Sequence, residues 1–339
     1  MNYKLNKLLQ FFTLLVIILF IIVFLLSYWI YKCENFINNN YLTLELRIDK
    51  NESVSQTYNK LFKYLNTPPF FKNYLLLVYK FGKNRKYGFY KFNNKNIKSI
   101  LEDIRNGHTF KIKITIPEGF NIFQIGNLLD KLKIVKYDDF INYITNKTVI
   151  RKLTGKNYIS LEGFLYPETY FFSMNEPVEN IVKKMINEFF KNLPKNFEIE
   201  VKKNGLDFYK GLILASIIQK ETYLEEEYPI IASVFYNRIK KGMPLQSDPT
   251  VIYGIFHQFN GNLQKKHLLD KNNPYNTYIY RGLPPTPICN PSISALKSVM
   301  YPAKTDYLYF VADKNGKHHF SKTYSEHKHK VYKYQIIKK

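Results

Sequence analysis

The stretch GLILASIIQKET, Gly211 to Thr222, decides the fold: an apolar run that ends in Gln219, Lys220, Glu221 and Thr222. Its spacing predicts a helix that is apolar on nearly every side, the kind buried at the centre of a domain. On a 3.6-residue period Glu221 shares a face with Leu214, Ile217 and Ile218, so a carboxyl group is aimed where an apolar face is buried. Desolvation, the negative end of the helix dipole and repulsion from Glu225, Glu226 and Glu227 would all raise its pKa. A carboxyl that stays protonated near neutral pH can serve as a general acid. Because the helix is apolar all round, its phase is open, and an exposed Glu in a fraying last turn fits the same pattern.

Downstream, from Ile230, the chain reads as a helix, a turn at Gly242 and a second helix beginning after Asp248. Asp248-Pro249 is a helix-start signal, with Asp capping and Pro in the first turn. Gln246 and Ser247, in the loop just before, remain free for a polar contact. Asn273 to Ser292 (NPYNTYIYRGLPPTPICNPS) reads as a long loop of Pro, Asn and Tyr, a length usually tied to function. Planar Tyr faces and side-chain amides suit sugar rings and their hydroxyl and N-acetyl groups. Asn290-Pro291 resembles a second cap, for the run SISALKSVM.

The N-terminus carries a different signal. Leu8 to Tyr31 is apolar except for Gln10, Thr13 and Ser27. As a helix it would run about 36 Å, enough to cross a ~30 Å hydrocarbon layer. Lys4 and Lys7 precede it, and Tyr28, Trp29 and Tyr31 form an aromatic belt at its far end. This predicts a short inner tail (1–7), a membrane span (8–31) and the rest of the chain outside, with Lys32 weakening the charge asymmetry. A cleaved signal peptide fits poorly, because the run is too long and no small-x-small site follows it.

Beyond the span and a polar stretch, Glu34 to Asn40, YLTLELRID from Tyr41 is strand-like and SVSQTYNKLFKYL is helical. KIKITIP from Lys111 and the helical NIFQIGNLLDKL repeat the arrangement. Ile48 aligns with Ile116, Asn51 with Gly119, Val54 with Ile122 and Leu61 with Leu129. Two small α+β modules are expected between residues 41 and 155, separated by a polar loop from Asn84 to Asn96. Such strand-helix modules resemble LysM-like domains; they either bind N-acetylated glycan or serve as a stalk.

Across 339 residues the net charge is +23, with 45% hydrophobic and 17% aromatic residues, so a packed core is expected and general disorder is not. The basic residues are dispersed, and no helix-turn-helix or zinc-finger spacing accompanies them, which argues against nucleic acid and favours an acidic surface such as membrane or cell-wall polymer. Two cysteines, Cys33 and Cys289, exclude a disulfide framework. His318, His319, His327 and His329 cluster, but adjacent His318 and His319 would face opposite sides of a strand and no HExxH is present, so no metal site is expected. GxSxG, P-loop and GxGxxG motifs are also lacking.

Five segments in order carry a resemblance: LEGFLYPETYFF at Leu161, ASIIQKET at Ala215, ASVFYNRIKKGMPLQSDPTVIYG at Ala232, the loop from Asn273, and YPAKTDYLYFVADKNGKHHFSKTYSEH at Tyr301. Together they resemble the YceG-like family of endolytic murein transglycosylases over nearly the whole chain. The resemblance implies an α+β protein: an N-terminal transmembrane helix, LysM-like α+β modules, and a C-terminal mixed α/β catalytic domain (156–339). It implies a single-pass inner-membrane enzyme with its catalytic domain in the periplasm or otherwise outside the cytoplasm, cutting nascent peptidoglycan strands without cofactor or metal. Its partners would be glycan strands and, in addition, peptidoglycan synthases. The catalytic acid falls on Glu221, and Gln219 stands where many members have a second acid. Glu162, Ser216, Asn237, Gln246, Asp248, Asn276, Thr277 and Tyr278 would line or shape the cleft, with amides and hydroxyls near Gln246, Asn276 and Thr277 orienting N-acetyl groups. Thr286 and Ser292 depart from the family's usual Gly. The rival expectation is a non-catalytic, membrane-anchored peptidoglycan-binding scaffold.

Overall fold

The computed structural model describes residues 2–49, 51–63, 65–78 and 85–336, within two compact units that divide between Lys111 and Ile112. The first unit begins with helix α1, Asn2–Asn39, which is long and apolar enough to cross a membrane. The helix outlasts the apolar run and takes in most of the polar stretch from Glu34. Trp29, Cys33 and Ile37 recur every fourth residue on one face, and Cys33 and Ile37 are fully buried in this unit's core.

Strand β1 (Tyr41–Ile48) pairs antiparallel with β2 (Gly88–Asn96), placing Ile48 opposite Gly88. The segment expected to be a loop is therefore a strand from Gly88 onward; Asn84 lies outside the described residues. Its inward positions, Tyr90 and Phe92, are buried, while Lys91, Asn93 and Asn94 are exposed and hide the alternation. Helices α2 (Val54–Phe62), α3 (Phe71–Leu77) and α4 (Ile97–Asn106) belong to the same unit.

In the second unit β3 (Ile112–Thr115) pairs antiparallel with β4 (Thr169–Phe172), and α5 (Ile122–Lys131), α6 (Tyr137–Ile144) and α7 (Lys147–Thr154) lie between them in the chain. The internal repeat extends to the helix caps. Ser53 with Gln56, and Asn121 with Gln124, each form a reciprocal capping box. Gly119 makes its turn at φ +76. The two copies nevertheless belong to different units. Ile114, Ile116, Ile122 and Leu129 share one core with Leu214 and Ile217, so the expected boundary between residues 155 and 156 falls inside the C-terminal unit.

That core is completed by α8 (Val178–Asn192), α9 (Phe197–Lys203), α10 (Phe208–Glu221), α11 (Tyr228–Lys240), α12 (Asp248–Gly254) and α14 (Ile293–Met300), with the short α13 (Lys265–Leu268) outside it. Helix α10 is central, packing against α9, α11, α12 and α14, and every residue from Gly211 to Ile218 is buried. Asp207 caps it by accepting from the Lys210 N–H at 2.8 Å. After α14 come β5 (Tyr309–Ala312) paired antiparallel to β6 (His318–Ser321), then α15 (Tyr324–Val331) and a π-helical turn, Tyr332–Ile336.

Candidate active site

Glu221 is the last residue of α10, partly buried, where the helix leaves the core. Its Oε1 accepts a hydrogen bond from the Ser247 hydroxyl. Burial pushes the carboxyl up to about 7; the Ser247 bond opposes this, the nearby Asp248 charge adds to it, and the Arg238 guanidinium opposes it. The expected repulsion from Glu225, Glu226 and Glu227 is replaced by that of Asp248. Glu227 is turned inward, accepting from the His318 N–H at 2.8 Å, His318 Nδ1 at 2.6 Å and the Thr222 hydroxyl at 3.1 Å. Burial alone would raise Glu227, but these bonds outweigh it and hold the carboxyl below its ordinary value.

The loop before α12 delivers Ser247. Gln246 sits at φ +53, a left-handed conformation that costs a non-glycine residue on the order of 1 kcal/mol. Two bonds hold it there: Gln246 N–H to the Thr277 carbonyl at 3.1 Å and Ser247 N–H to Thr277 Oγ1 at 3.0 Å. Ser247 occupies the N-cap position of α12 yet makes no capping bond with its side chain, because the hydroxyl is given to Glu221. Asp248 does not cap either, contrary to the sequence expectation. It accepts from the Tyr278 hydroxyl at 2.6 Å.

Arg238 is buried beneath this cluster. Nε donates to the Leu308 carbonyl at 2.6 Å, and Nη1 to the Leu245 carbonyl at 2.8 Å and the Pro244 carbonyl at 3.1 Å. A fixed cation thus stands near Glu221 without a direct ion pair to it. Nothing in the local pattern NRIKK distinguished this Arg from the neighbouring lysines. Ser247 was legible only as a loop residue next to a helix start.

The other residues assigned by resemblance divide into two groups. Gln246 and Asp248 are exposed and Tyr278 is partly buried, so these three flank Glu221 at the surface. Glu162, Ser216, Asn276 and Thr277 are interior. Both Glu162 oxygens are engaged, Oε2 by Ile122 N–H at 3.0 Å and Tyr253 Oη at 2.9 Å, Oε1 by Asn290 Nδ2 at 3.2 Å. Burial raises Glu162 to about 8 against those donors. Gly163, at φ +87, follows it, and a Cβ there would lie 2.7 Å from Pro287. Ser216 Oγ accepts from the Ile288 N–H at 3.0 Å, fastening the long loop to α10. Asn276 Nδ2 donates to the carbonyls of His267, Leu268 and Asp270, and its Oδ1 accepts from Tyr278 N–H, so this amide has nothing left for an N-acetyl group. Thr277 is spent on Ser247 and Thr250. Asn237 donates to the carbonyls of Thr305 at 2.8 Å and Tyr307 at 3.0 Å and is likewise a framework residue.

Asn290 does not cap α14; Ser292 does, accepting from the Ala295 N–H. Asn290 instead ties together Leu165 N–H, the Phe120 carbonyl and Glu162. Thr286, the other departure from Gly, bonds the Tyr275 hydroxyl at 2.9 Å. Gln219 bridges Tyr228 Oη at 3.0 Å and Ser292 N–H at 2.8 Å. The loop from Asn273 to Ser292 contains neither helix nor strand, as its composition predicts. His318 and His319 face opposite ways, to Glu227 and to Asp313, and among the described residues no group of three or more His, Cys, Asp or Glu is arranged to hold a metal ion.

The model of the YceG-like family matches residues 46–333. The chain belongs to the YceG-like family. It is 36% identical over 312 aligned positions to the endolytic murein transglycosylase of Bacillus subtilis, covering 86% of this chain and 85% of that protein. It is 30% identical over 288 positions to the endolytic murein transglycosylase of Streptococcus pneumoniae strain D39, spanning about half (51%) of that longer protein. Among solved structures, a yceG-like protein from Listeria monocytogenes superposes with a TM-score of 0.58 at 30% identity, covering 86% of this chain and 99% of that one. The YceG-like fold therefore presents, in this chain, one carboxyl of raised pKa held at the end of its central helix.

Proposed function

We propose that this chain is an endolytic lytic transglycosylase of peptidoglycan, with Glu221 as its acid–base group. The observation that carries the reading is the Glu221 carboxyl, poised at about 7 by burial and oriented by Ser247 at the exit of α10. The names of the relatives from Bacillus subtilis and Streptococcus pneumoniae support the substrate class.

Most glycosidases flank the scissile bond with two carboxylates. Here Gln219 is committed to Tyr228 and Ser292, which leaves Glu221 to act in both directions. Protonated Glu221 donates to the glycosidic oxygen between N-acetylmuramic acid and N-acetylglucosamine. The C1–O bond breaks, and the N-acetylglucosamine side leaves as a 4-hydroxyl. The resulting carboxylate accepts the proton of the muramyl 6-hydroxyl as that oxygen attacks C1. A 1,6-anhydro ring closes and Glu221 is protonated again, with no water consumed. Arg238 steadies the transient carboxylate from below. In this reading Gln246, Asp248 and Tyr278 meet the sugars, and the ring of Tyr223, two residues after the acid, is fully exposed for stacking.

Residues 8–31 are read as a span of the cytoplasmic membrane with the N-terminus inside, a reading their length and apolarity support, so that cleavage near the membrane would terminate nascent strands close to their synthases. The strand-helix modules are read as LysM-like, binding glycan or setting the distance to the catalytic unit. The test is Glu221→Gln, which keeps size and removes the proton donor. Mass spectrometry of digested sacculi should then show no 1,6-anhydro ends above background, and product formation equal to wild type would reject the assignment.

A further inference from the structure

Along the first half of α10 the surface opens into a cavity of about 710 Å³ that the chemistry at Glu221 does not use. Phe208, Tyr209 and Ile213 form its α10 side, and Gly282 to Pro285 of the long loop form part of its wall. Tyr158 stacks on Tyr209 with ring centroids 4.1 Å apart and planes 13° from parallel. The Tyr209 hydroxyl is enclosed, shut off from the cavity, and has no hydrogen-bond partner among the described residues, so the ring alone offers a surface to a ligand. The rim carries both signs of charge, Lys156 and Lys210 against Glu198 and Asp207, all exposed. The Lys210–Asp207 pair is loose, at 3.7 Å.

Two chain segments run from the acid to this cavity. Arg238, which bears on Glu221, is followed by Ile239 in the cavity wall, and the loop carrying Tyr278 reaches the wall at Gly282. At 1.5 Å per residue, Ile213 lies about 12 Å and Phe208 about 20 Å from Glu221 along the helix axis.

We propose that this cavity is a subsite for the peptide stem carried by the muramyl residue at Glu221. The proposal rests on the reading of the substrate given above. An extended stem of five residues reaches about 17 Å, which matches the separation. A glycan backbone whose lactyl carboxyls are amidated is uncharged and would leave the rim without partners. A stem brings carboxylates, an amino group and small methyl side chains, which suit the mixed-charge rim and the apolar floor.

The probe is N-acetylmuramyl pentapeptide, titrated calorimetrically against the full chain in detergent, with peptide-free N-acetylmuramic acid as comparison. Tyr209→Phe removes only an enclosed hydroxyl with no hydrogen-bond partner among the described residues and keeps the stacked ring, so it serves as the control. In the double reversal Lys156→Glu/Lys210→Glu the affinity for the muramyl peptide should fall about tenfold, while Tyr209→Phe should bind as wild type does. Equal affinity in wild type and the double reversal overturns the subsite, as does a loss in Tyr209→Phe as large as that in the reversal. Equal binding of the peptide-free sugar also overturns it and makes the cavity a sugar site. The readout needs no turnover. Glu221→Gln with binding intact and product lost bears on the acid, whereas turnover by the wild type with no peptide binding bears on the cavity alone.

Discussion

Ser247→Ala separates the two roles a serine at that position can have. Had its hydroxyl capped α12, the substitution would cost about 1 kcal/mol of stability. The hydroxyl is given to Glu221 instead, and alanine keeps the backbone bonds to Thr277 and Thr250, so the melting temperature should stay within about 2 °C of wild type. The effect falls on the acid. A hydrogen bond to a charged group contributes about 1.5–3 kcal/mol when buried. Glu221 is only partly buried, so a loss near 1.4 kcal/mol is the working figure, equivalent to about one pH unit. The Ser247 bond lowers the Glu221 pKa, so removing it raises that pKa. Since the protonated carboxyl begins the reaction, the basic limb of the rate profile moves up from about 7. At pH 8 the protonated fraction then rises from roughly 0.1 to roughly 0.5, making the variant about fivefold faster there while the two are similar near pH 5. The assay is initial release of 1,6-anhydro ends from isolated glycan strands between pH 5 and 9, with thermal unfolding alongside. A basic limb that stays put or moves down refutes the reasoning, as does a fall of many degrees in melting temperature.

Other expectations concern the interior. The Glu162 carboxyl binds its proton more tightly folded, at about 8, than unfolded, at 4.5; the stability it contributes is fully present below 4.5 and is lost as pH rises through about 8. Glu162→Gln should flatten that decline by up to about 1.4 kcal/mol per pH unit, read as wild-type minus variant unfolding free energy from pH 5 to 8, and parallel curves would show that Glu162 does not titrate there. Asn276→Ala strands buried loop carbonyls and should cost about 2–4 kcal/mol in denaturant unfolding; a variant as stable as wild type would mean that water replaces the amide.

Much of this architecture was legible because it rests on local periodicity. The long apolar helix through Leu8, the apolar helix ending at Glu221, the break at Gly242 and the Pro-rich loop each follow from a pattern confined to a few neighbouring residues. Strand β2 escaped because its exposed Asn and Lys outweigh Tyr90 and Phe92 by number, and only pairing with β1 shows which face is buried. The repeat was visible in the strand-helix order, but nothing local indicated that its second copy joins the C-terminal core.

The sequence by itself determined that a carboxyl would leave a greasy helix at residue 221, since that depends only on helical geometry and the order of apolar residues. The tertiary structure alone decided what surrounds it. Ser247, Asp248 and Arg238 come from segments up to 27 residues away in the chain, and long-range hydrogen bonds to Thr277, Leu245 and Leu308 set their positions. A residue that looks like a cap, such as Asp248 or Asn290, has two uses open to its oxygen. The choice between them depends on which donor arrives from elsewhere in the fold, and short-range propensity does not encode that.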